Sequence, residues 1–244
     1  MSTSKQLSDI YRIMFDKYKA QGWWPIITEV VSTEKETSTK DQSKWICKYG
    51  LAAPRNQEEA FEIAIGAILT QNTSWKNVEK ALINLKSSGN LSIEKISSMP
   101  LKNLENLIKP SGFYKQKALR LKEFSKFVLS FGSMRNFIEK IDRETLLKQK
   151  GIGHETADSI LLYACKQKQF VADAYTKRIF SRIGLIKKDT KYEEVKKSFE
   201  ENIPKNLEIY NEYHALIVEH AKQFCNKKPA CEQCPLSKLC KKMI

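Results

Sequence analysis

The sequence contains few residues that interrupt helices and no long apolar runs. Only 9 of its 244 residues are glycine and 7 are proline. Apolar residues recur at helical spacing almost everywhere, and no stretch alternates clearly enough to predict a strand. No apolar run approaches the roughly 20 residues that a membrane-spanning helix needs, and the N-terminus has no continuous apolar segment typical of a secretory signal. These absences predict an all-α protein of the cell interior, in the cytoplasm or nucleoid, without a membrane partner.

Acidic residues are scarce relative to basic ones. The chain has 28 Asp and Glu against 42 Lys and Arg, which gives a formal net charge of +14. Because 41% of the residues are hydrophobic, a sizeable core is available, and this excludes a disordered basic protein. Basic soluble proteins most often meet a polyanion, commonly nucleic acid. A generally lysine-rich surface without such a partner explains the composition equally well.

Helix start signals occur along the chain. Asn56 and Glu59 resemble a capping box before an apolar helix over about 57–70, and Asn72 or Thr73 is expected to cap the next helix. Further helices are predicted at about 100–109, 114–131, 142–149, 155–166, 174–183, 192–202 and 207–224. The polar segment 32–56 interrupts this pattern and is predicted to be a surface loop or insertion.

The six cysteines are unevenly distributed. Cys47 and Cys165 are isolated, whereas four stand close to the C-terminus with five, two and five residues between them. These four are Cys225, Cys231, Cys234 and Cys240. A reducing compartment disfavours disulfides, so the spacing predicts a metal site. Zinc ribbons usually bring two C-x-x-C pairs, and only one is present here.

A segment of the chain repeats after 39 residues. LIKPSGFYKQKALRL aligns without a gap with LLKQKGIGHETADSI and superposes Gly112 on Gly151, which predicts one helix-turn-helix unit used twice. In the second copy, Gly151 and Gly153 permit a turn whose backbone N–H groups point outward at a helix start. Such a turn, flanked by Lys148 and Lys150, binds phosphate without sequence preference. An ordinary helical hairpin with a glycine turn is the alternative.

The second copy and its surroundings resemble a known family. LLKQKGIGHETADSILLYA followed by FVADAYTKRIF is similar to the helix-hairpin-helix, Gly/Pro, Asp (HhH-GPD) signature of the endonuclease III superfamily of DNA glycosylases. The similarity extends to TQNTSWKNVEKAL, to KPSGFYKQKA and to the cysteine tail. It covers roughly Trp23 to Cys240 apart from the insertion.

This resemblance implies a two-lobed, all-α glycosylase of base excision repair that acts as a monomer on double-stranded DNA containing a damaged or mismatched base. Its implied parts are a helical barrel over 57–183, the hairpin over about 142–166, a second lobe of 1–31 plus 184–244, and an iron–sulfur loop over 225–240. The cysteine tail is then expected to hold a [4Fe-4S] cluster, with zinc as the alternative. The family commonly has six residues in the first gap, where this sequence has five.

The resemblance also assigns a catalytic carboxylate. It places this group at Asp173, where a helix start would keep it ionised, and a fixed carboxylate stabilises the positive charge that develops on deoxyribose. A simple helix cap is the alternative. Bifunctional relatives carry a lysine at the position of Glu155, and a carboxylate cannot form their imine intermediate. The resemblance therefore implies a monofunctional enzyme, while a lyase using another lysine stays open.

Residues that contact DNA are implied in the same way. Gln71 is expected to fill the gap left by the flipped nucleotide, and Phe113 to wedge beside the opposite base, although a core aromatic at a turn is the alternative for Phe113. Lys115 and Lys117 are expected beside this wedge, facing DNA. The hairpin contacts are expected from Lys148, Lys150, Gly151, Ile152, Gly153, His154 and Thr156. His214 and His220 are interpreted as structural.

The flipped base needs a pocket. QGWWP and FEIAIGAILTQNT resemble elements of the 3-methyladenine DNA glycosylase III branch, and this resemblance implies a pocket made by Trp23, Trp24, Pro25 and Phe61. One alternative is that only one of the two tryptophans faces the pocket. Stacking on indole favours a cationic alkylated purine such as 3-methyladenine.

Other substrates and one other class of function stay open. Uracil or thymine mismatched with guanine, and hypoxanthine, suit the same chemistry. Adenine opposite an oxidised guanine is less favoured, because the sequence ends at Ile244 and leaves no room for a further recognition domain. The other class is a protein that binds damaged DNA without catalysis.

Overall fold

The computed structural model describes residues 2–30, 44–50 and 52–243. In this part of the chain the fold is mostly helical, as the sequence predicts. The helices are α1 (Thr3–Tyr18), α2 (Gln57–Leu69), α3 (Trp75–Ser87), α4 (Ile93–Ser98), α5 (Leu101–Ile108), α6 (Tyr114–Leu129), α7 (Met134–Lys140), α8 (Arg143–Leu147), α9 (His154–Ser159), α10 (Ala174–Ile183), α11 (Tyr192–Asn202) and α12 (Leu207–Gln223). None of these helices is long and apolar enough to span a membrane.

The expectation that the chain contains no strands is wrong. Strands β1 (Ile26–Val30) and β2 (Lys44–Lys48) pair antiparallel, with Ile27 opposite Cys47. Ile26 and Ile27 are both buried, so β1 lacks the alternation that marks a half-exposed strand. Strand β2 lies within the predicted loop over 32–56, of which residues 32–43 and 51 lie outside the described part.

Local capping signals are largely confirmed. The side chain of Asn56 accepts a hydrogen bond from the backbone N of Glu59 at 2.9 Å and caps α2. The Glu59 carboxylate instead pairs with Arg55, accepting from its backbone N at 2.7 Å. The N-cap of helix α3 is Ser74 rather than the expected Asn72 or Thr73, and it forms no side-chain cap bond.

The two copies of the repeat share their turn geometry. Gly112 between α5 and α6 has φ +66°, and Gly151 between α8 and α9 has φ +85°. Both values lie in the left-handed region that favours glycine. Helix α9 continues as a π-helix over Ile160–Ala164. The predicted helix-turn-helix unit is thus present twice.

The chain divides into two units, one of Met1–Trp23 with Lys166–Ile244 and the other of Trp24–Cys165. These bounds differ from the lobes expected at 57–183 and at 1–31 plus 184–244, because α10 packs against α12 and so joins the first unit. In that unit α1 also packs on α12. In the second unit α2 forms the core, buried along nearly its whole length, and the two strands lie against α3.

Candidate functional site

Asp173 occupies the N-cap of α10, as the sequence predicts. Its Oδ1 accepts hydrogen bonds from the Thr176 backbone N at 2.7 Å and the Thr176 hydroxyl at 2.8 Å. The residue is only 7% exposed. A helix N-terminus and two local donors therefore fix one oxygen of this carboxylate, while the other oxygen faces elsewhere.

The other oxygen of Asp173 faces His214 on α12. His214 Nε2 lies 3.6 Å from Asp173 Oδ2, and both side chains are buried. Burial raises the pKa of Asp173, but the interactions with His214 and Thr176 outweigh burial and leave that pKa below its ordinary value. The carboxylate is thus kept charged in a buried position.

The interpretation of His214 as merely structural missed this contact. The two residues are far apart in the chain, and their pairing follows from the packing of α10 on α12. The sequence signal that could have revealed this contact is a histidine on the buried face of α12, between Tyr213 and Ala215, which are both buried. A polar ring in such a position needs a polar neighbour.

The hairpin presents a charged and open surface. Lys148, Lys150, Gly153 and His154 are exposed, whereas Ile152 and Thr156 are buried. Gly153 caps α9 without a side-chain hydrogen bond, and a methyl group added there would meet nothing within 4 Å. The first N–H groups of α9 therefore lack a side-chain cap, as a phosphate-binding turn requires.

The interior of the hairpin is fixed by an ion pair. Arg143 on α8 donates to both carboxylate oxygens of the buried Asp158 on α9, at 2.7 and 3.0 Å. The same guanidinium lies 3.5 Å from Nδ1 of His154. Arg143 thereby joins the two helices of the hairpin and lies beside its exposed histidine.

Gln71 contacts the hairpin directly. Its Nε2 donates to the Gly151 carbonyl at 2.9 Å and to the Thr156 hydroxyl at 3.0 Å, and its Oε1 accepts from Arg120. The structure thus brings Gln71 together with two of the predicted hairpin contacts.

Phe113 lies on the surface of the turn between α5 and α6. Its side chain is 66% exposed, and it is the N-cap of α6 with φ +44°. The alternative interpretation of Phe113 as a core aromatic is wrong. An exposed ring held in the left-handed region has the position that a wedge residue requires.

Lys117 does not face DNA, and that expectation is corrected. The side chain is buried, with 1% exposure, and its Nζ donates to the carbonyls of Leu69 and Ser111, both at 2.7 Å. Its ammonium therefore links the end of α2 to the turn before α6. Lys115, by contrast, is exposed.

Three of the four expected base-pocket residues are buried. Trp24 is 5% exposed and packs edge-on against Trp75 at 5.3 Å between ring centroids, and against Tyr163 at 5.2 Å. Pro25 and Phe61 are also buried. Trp23 belongs to the other unit, is half-buried, and has the ammonium of Lys222 at 5.8 Å from its ring. Of the two tryptophans, Trp23 is the more accessible.

The four C-terminal cysteines line one pocket together with Arg182 and His220. They form no disulfides. Arg182 donates to the sulfur of Cys225 at 3.3 Å, and Nε2 of His220 lies 3.5 Å from the sulfur of Cys234. Four free thiols around one pocket, with a cationic donor, suit an anionic cluster of thiolate ligands. Within the described residues, no three His, Cys, Asp or Glu side chains form a site for a single ion.

Comparisons with known proteins show which family and which folds the chain resembles. Residues 65–205 match the HhH-GPD superfamily base excision DNA repair protein family. A Methanocaldococcus jannaschii protein, provisionally named a DNA repair glycosylase, is 45% identical over 95% of this chain and 94% of its own length.

Two solved structures are similar over nearly the whole chain. The Helicobacter pylori 3-methyladenine DNA glycosylase bound to 1,N6-ethenoadenine has a TM-score of 0.69 and 30% identity, and the match covers 91% of this chain and 98% of that one. A non-covalent endonuclease III–DNA complex has a TM-score of 0.73 and 21% identity, covering 99% and 97%. The latter likeness shows the fold alone.

Proposed function

Because the chain belongs to the HhH-GPD superfamily of base excision DNA repair proteins, and so is a DNA glycosylase acting on N-glycosyl bonds, we propose that it is a monofunctional enzyme for alkylated purines. In this proposal it hydrolyses the bond between deoxyribose and a flipped base such as 3-methyladenine. The product is an abasic site in an otherwise intact strand.

The charged, buried carboxylate of Asp173 is the observation that carries the proposal. Loss of the base leaves positive charge on the sugar, and a fixed anion in a water-poor site stabilises that charge more than a solvated one. The Thr176 bonds hold Oδ1 in place, and His214 beside Oδ2 keeps the group ionised. A carboxylate so placed also accepts a proton from, and orients, an attacking water.

Glu155 supports hydrolysis rather than lyase chemistry. It is exposed in the first turn of α9, at the position where the resemblance expects the imine-forming lysine of bifunctional relatives. Borohydride trapping on a lesion-containing duplex tests this part. We expect no covalent protein–DNA adduct, and an adduct that forms through any lysine would contradict monofunctional action.

The preference for an alkylated purine draws support from two sources. The H. pylori relative is named a 3-methyladenine DNA glycosylase and was solved with bound 1,N6-ethenoadenine. Trp23 is the accessible ring of the expected pocket, and an indole face attracts a cationic base by about 0.5–2 kcal/mol.

A panel of duplexes, each with one lesion, tests substrate choice. After incubation and alkali treatment, we expect strand breaks in the 3-methyladenine and ethenoadenine duplexes. Breaks confined to uracil–guanine, thymine–guanine or hypoxanthine duplexes would overturn the proposed substrate class while leaving the glycosylase activity in place.

We also propose that Cys225, Cys231, Cys234 and Cys240 hold a [4Fe-4S] cluster, which would supply a structural crosslink and no step of the hydrolysis. The exposed lysines around these cysteines would then meet phosphate: Lys227, Lys228, Lys241 and Lys242. An absorption band near 400 nm with about four iron and four sulfide per chain is the expected result. Stoichiometric zinc without that band would favour the alternative metal.

A further inference from the structure

Gln71 contacts the hairpin turn, α9 and α6, and both the nitrogen and the oxygen of its side-chain amide form hydrogen bonds. Its NH₂ group donates to the carbonyl of Gly151 and the hydroxyl of Thr156, and its oxygen accepts from Arg120. Exchanging the oxygen and nitrogen would place the amide oxygen against the Gly151 carbonyl oxygen and the amide nitrogen against the Arg120 donor, so the network selects one orientation of the amide. The Gln71 side chain is therefore ordered before any DNA is present.

Arg120 reaches Gln71 from α6, the second helix of the first repeat. A methyl group built on Gly151 would lie 2.5 Å from Arg120 Nε and 2.7 Å from its Cδ. The arginine stem thus packs directly on the backbone of the hairpin turn, in space that exists because residue 151 is glycine. Arg120 is half-buried, and this packing directs its guanidinium toward Gln71.

We propose that Arg120 is a positioning residue that fixes the Gln71 side chain for insertion into the duplex. The inference rests on the proposed function, because a gap arises only if a base is extruded. Ordering a glutamine side chain costs rotamer entropy, and a side chain fixed in advance avoids that cost when DNA binds. Arg120 acts through Gln71 and does not contact the reacting atoms.

Single-turnover base release from two substrates tests this role. In one duplex the lesion is fully paired, and in the other it lies in a bulge, already unstacked, where no gap must be filled. Arg120→Met keeps the stem and removes the donors. We expect release from the paired duplex to fall about tenfold, roughly the effect of one hydrogen bond to a charged group, with less than a twofold change on the bulge.

Two further variants separate positioning from charge. Arg120→Lys retains a donor and is expected to recover part of the lost rate. Lys126→Met removes one positive charge from the exposed face of the same helix, where Lys126 pairs only with Glu123 at 3.2 Å in the described contacts, and should leave both rates unchanged. An equal loss on both substrates, or no loss on the paired duplex, would overturn the proposal.

A measurement that needs no activity keeps the inference separate from the proposed function. Nitrogen-15 relaxation of the Gln71 side-chain amide should show an ordered group in the wild type and in Lys126→Met, and a mobile one in Arg120→Met. An amide that stays ordered in Arg120→Met would refute the positioning role. If the wild type released no base while the amide behaved as expected, the proposed function would fail and the positioning of Gln71 would stand.

Discussion

Asp173 is charged although it is buried, and His214 is central to that state. Without the imidazole, burial would act on the carboxylate opposed only by Thr176, and the pKa of Asp173 would rise. The Thr176 bonds hold only Oδ1, so loss of the imidazole would also leave Oδ2 without its neighbour on α12. His214 is thus a positioning and electrostatic partner of the proposed catalytic group.

His214→Leu is therefore expected to shift the acid limb of the pH profile of base release to higher pH. The active form needs ionised Asp173, and a raised pKa removes that form at a higher pH than in the wild type. Single-turnover rates from about pH 4 to 8 measure the shift, with His214→Asn, which retains a donor, expected in between. Coincident acid limbs for wild type and His214→Leu would show that His214 does not hold this charge.

The two glycines of the hairpin turn, Gly151 and Gly153, have different structural roles. Gly151 has φ +85° and lies against Arg120, whereas Gly153 has an ordinary φ of −91° and open space around it. The first glycine is required by the fold of the turn. The second leaves room for a partner to approach the backbone.

Gly151→Ala and Gly153→Ala should consequently have different effects. We expect Gly151→Ala to lower the free energy of unfolding by about 1–3 kcal/mol, because an alanine is strained there and displaces Arg120. Gly153→Ala should change stability by less than about 0.5 kcal/mol but weaken DNA binding. Urea unfolding and a DNA titration of both variants test this, and equal stability losses would contradict it.

Lys117 connects two elements that each carry a predicted DNA contact, α2 and the turn before α6. Its replacement by methionine leaves the carbonyls of Leu69 and Ser111 without this donor. We expect a loss of about 2 kcal/mol in the free energy of unfolding at pH 7. Lys115→Met, two residues away and exposed, is the matched control and should have little effect.

The stability difference between wild type and Lys117→Met should also depend on pH. Burial, with Arg120 nearby, lowers the pKa of Lys117 from 10.5 to about 8. Between these values the unfolded chain binds more protons than the folded one, so the wild type gains stability as pH rises from about 8. Below pH 8 the difference should be constant. A stability difference between wild type and Lys117→Met that decreases as the pH rises from 8 to 10 would contradict the burial of a charged amine.

At the scale of the whole chain, the excess of 14 positive charges predicts salt-sensitive affinity for DNA. Lys148 and Lys150 are exposed beside the hairpin. If each neutralises one phosphate, replacing both with glutamine should reduce the slope of log affinity against log salt by about two. Lys102→Gln with Lys140→Gln, two exposed lysines outside the predicted contacts, removes the same charge and should leave the slope unchanged. Equal slopes in the two double variants would contradict the hairpin contacts.

Features set by neighbouring residues could be predicted from the sequence, and features set by long-range packing could not. The Asn56 cap, the repeated glycine turns and the N-cap position of Asp173 depend on a few adjacent residues. The burial of Lys117 and the contact between Asp173 and His214 depend on which helices pack together. Strand β1 carries no alternating pattern because both of its isoleucines are buried, so periodicity alone gave no signal.

Release of free base from a 3-methyladenine duplex, compared between the wild type and Asp173→Asn, tests the central claim most directly. Asparagine keeps the side-chain oxygen that caps α10 and removes only the charge. Asp189→Asn, an exposed loop residue, controls for the change in net charge. We predict release by the wild type and the control, and a loss of at least about a hundredfold in Asp173→Asn with unchanged DNA affinity. Release that persists in Asp173→Asn would contradict the assigned carboxylate, and no release by the wild type despite DNA binding would indicate a non-catalytic binder.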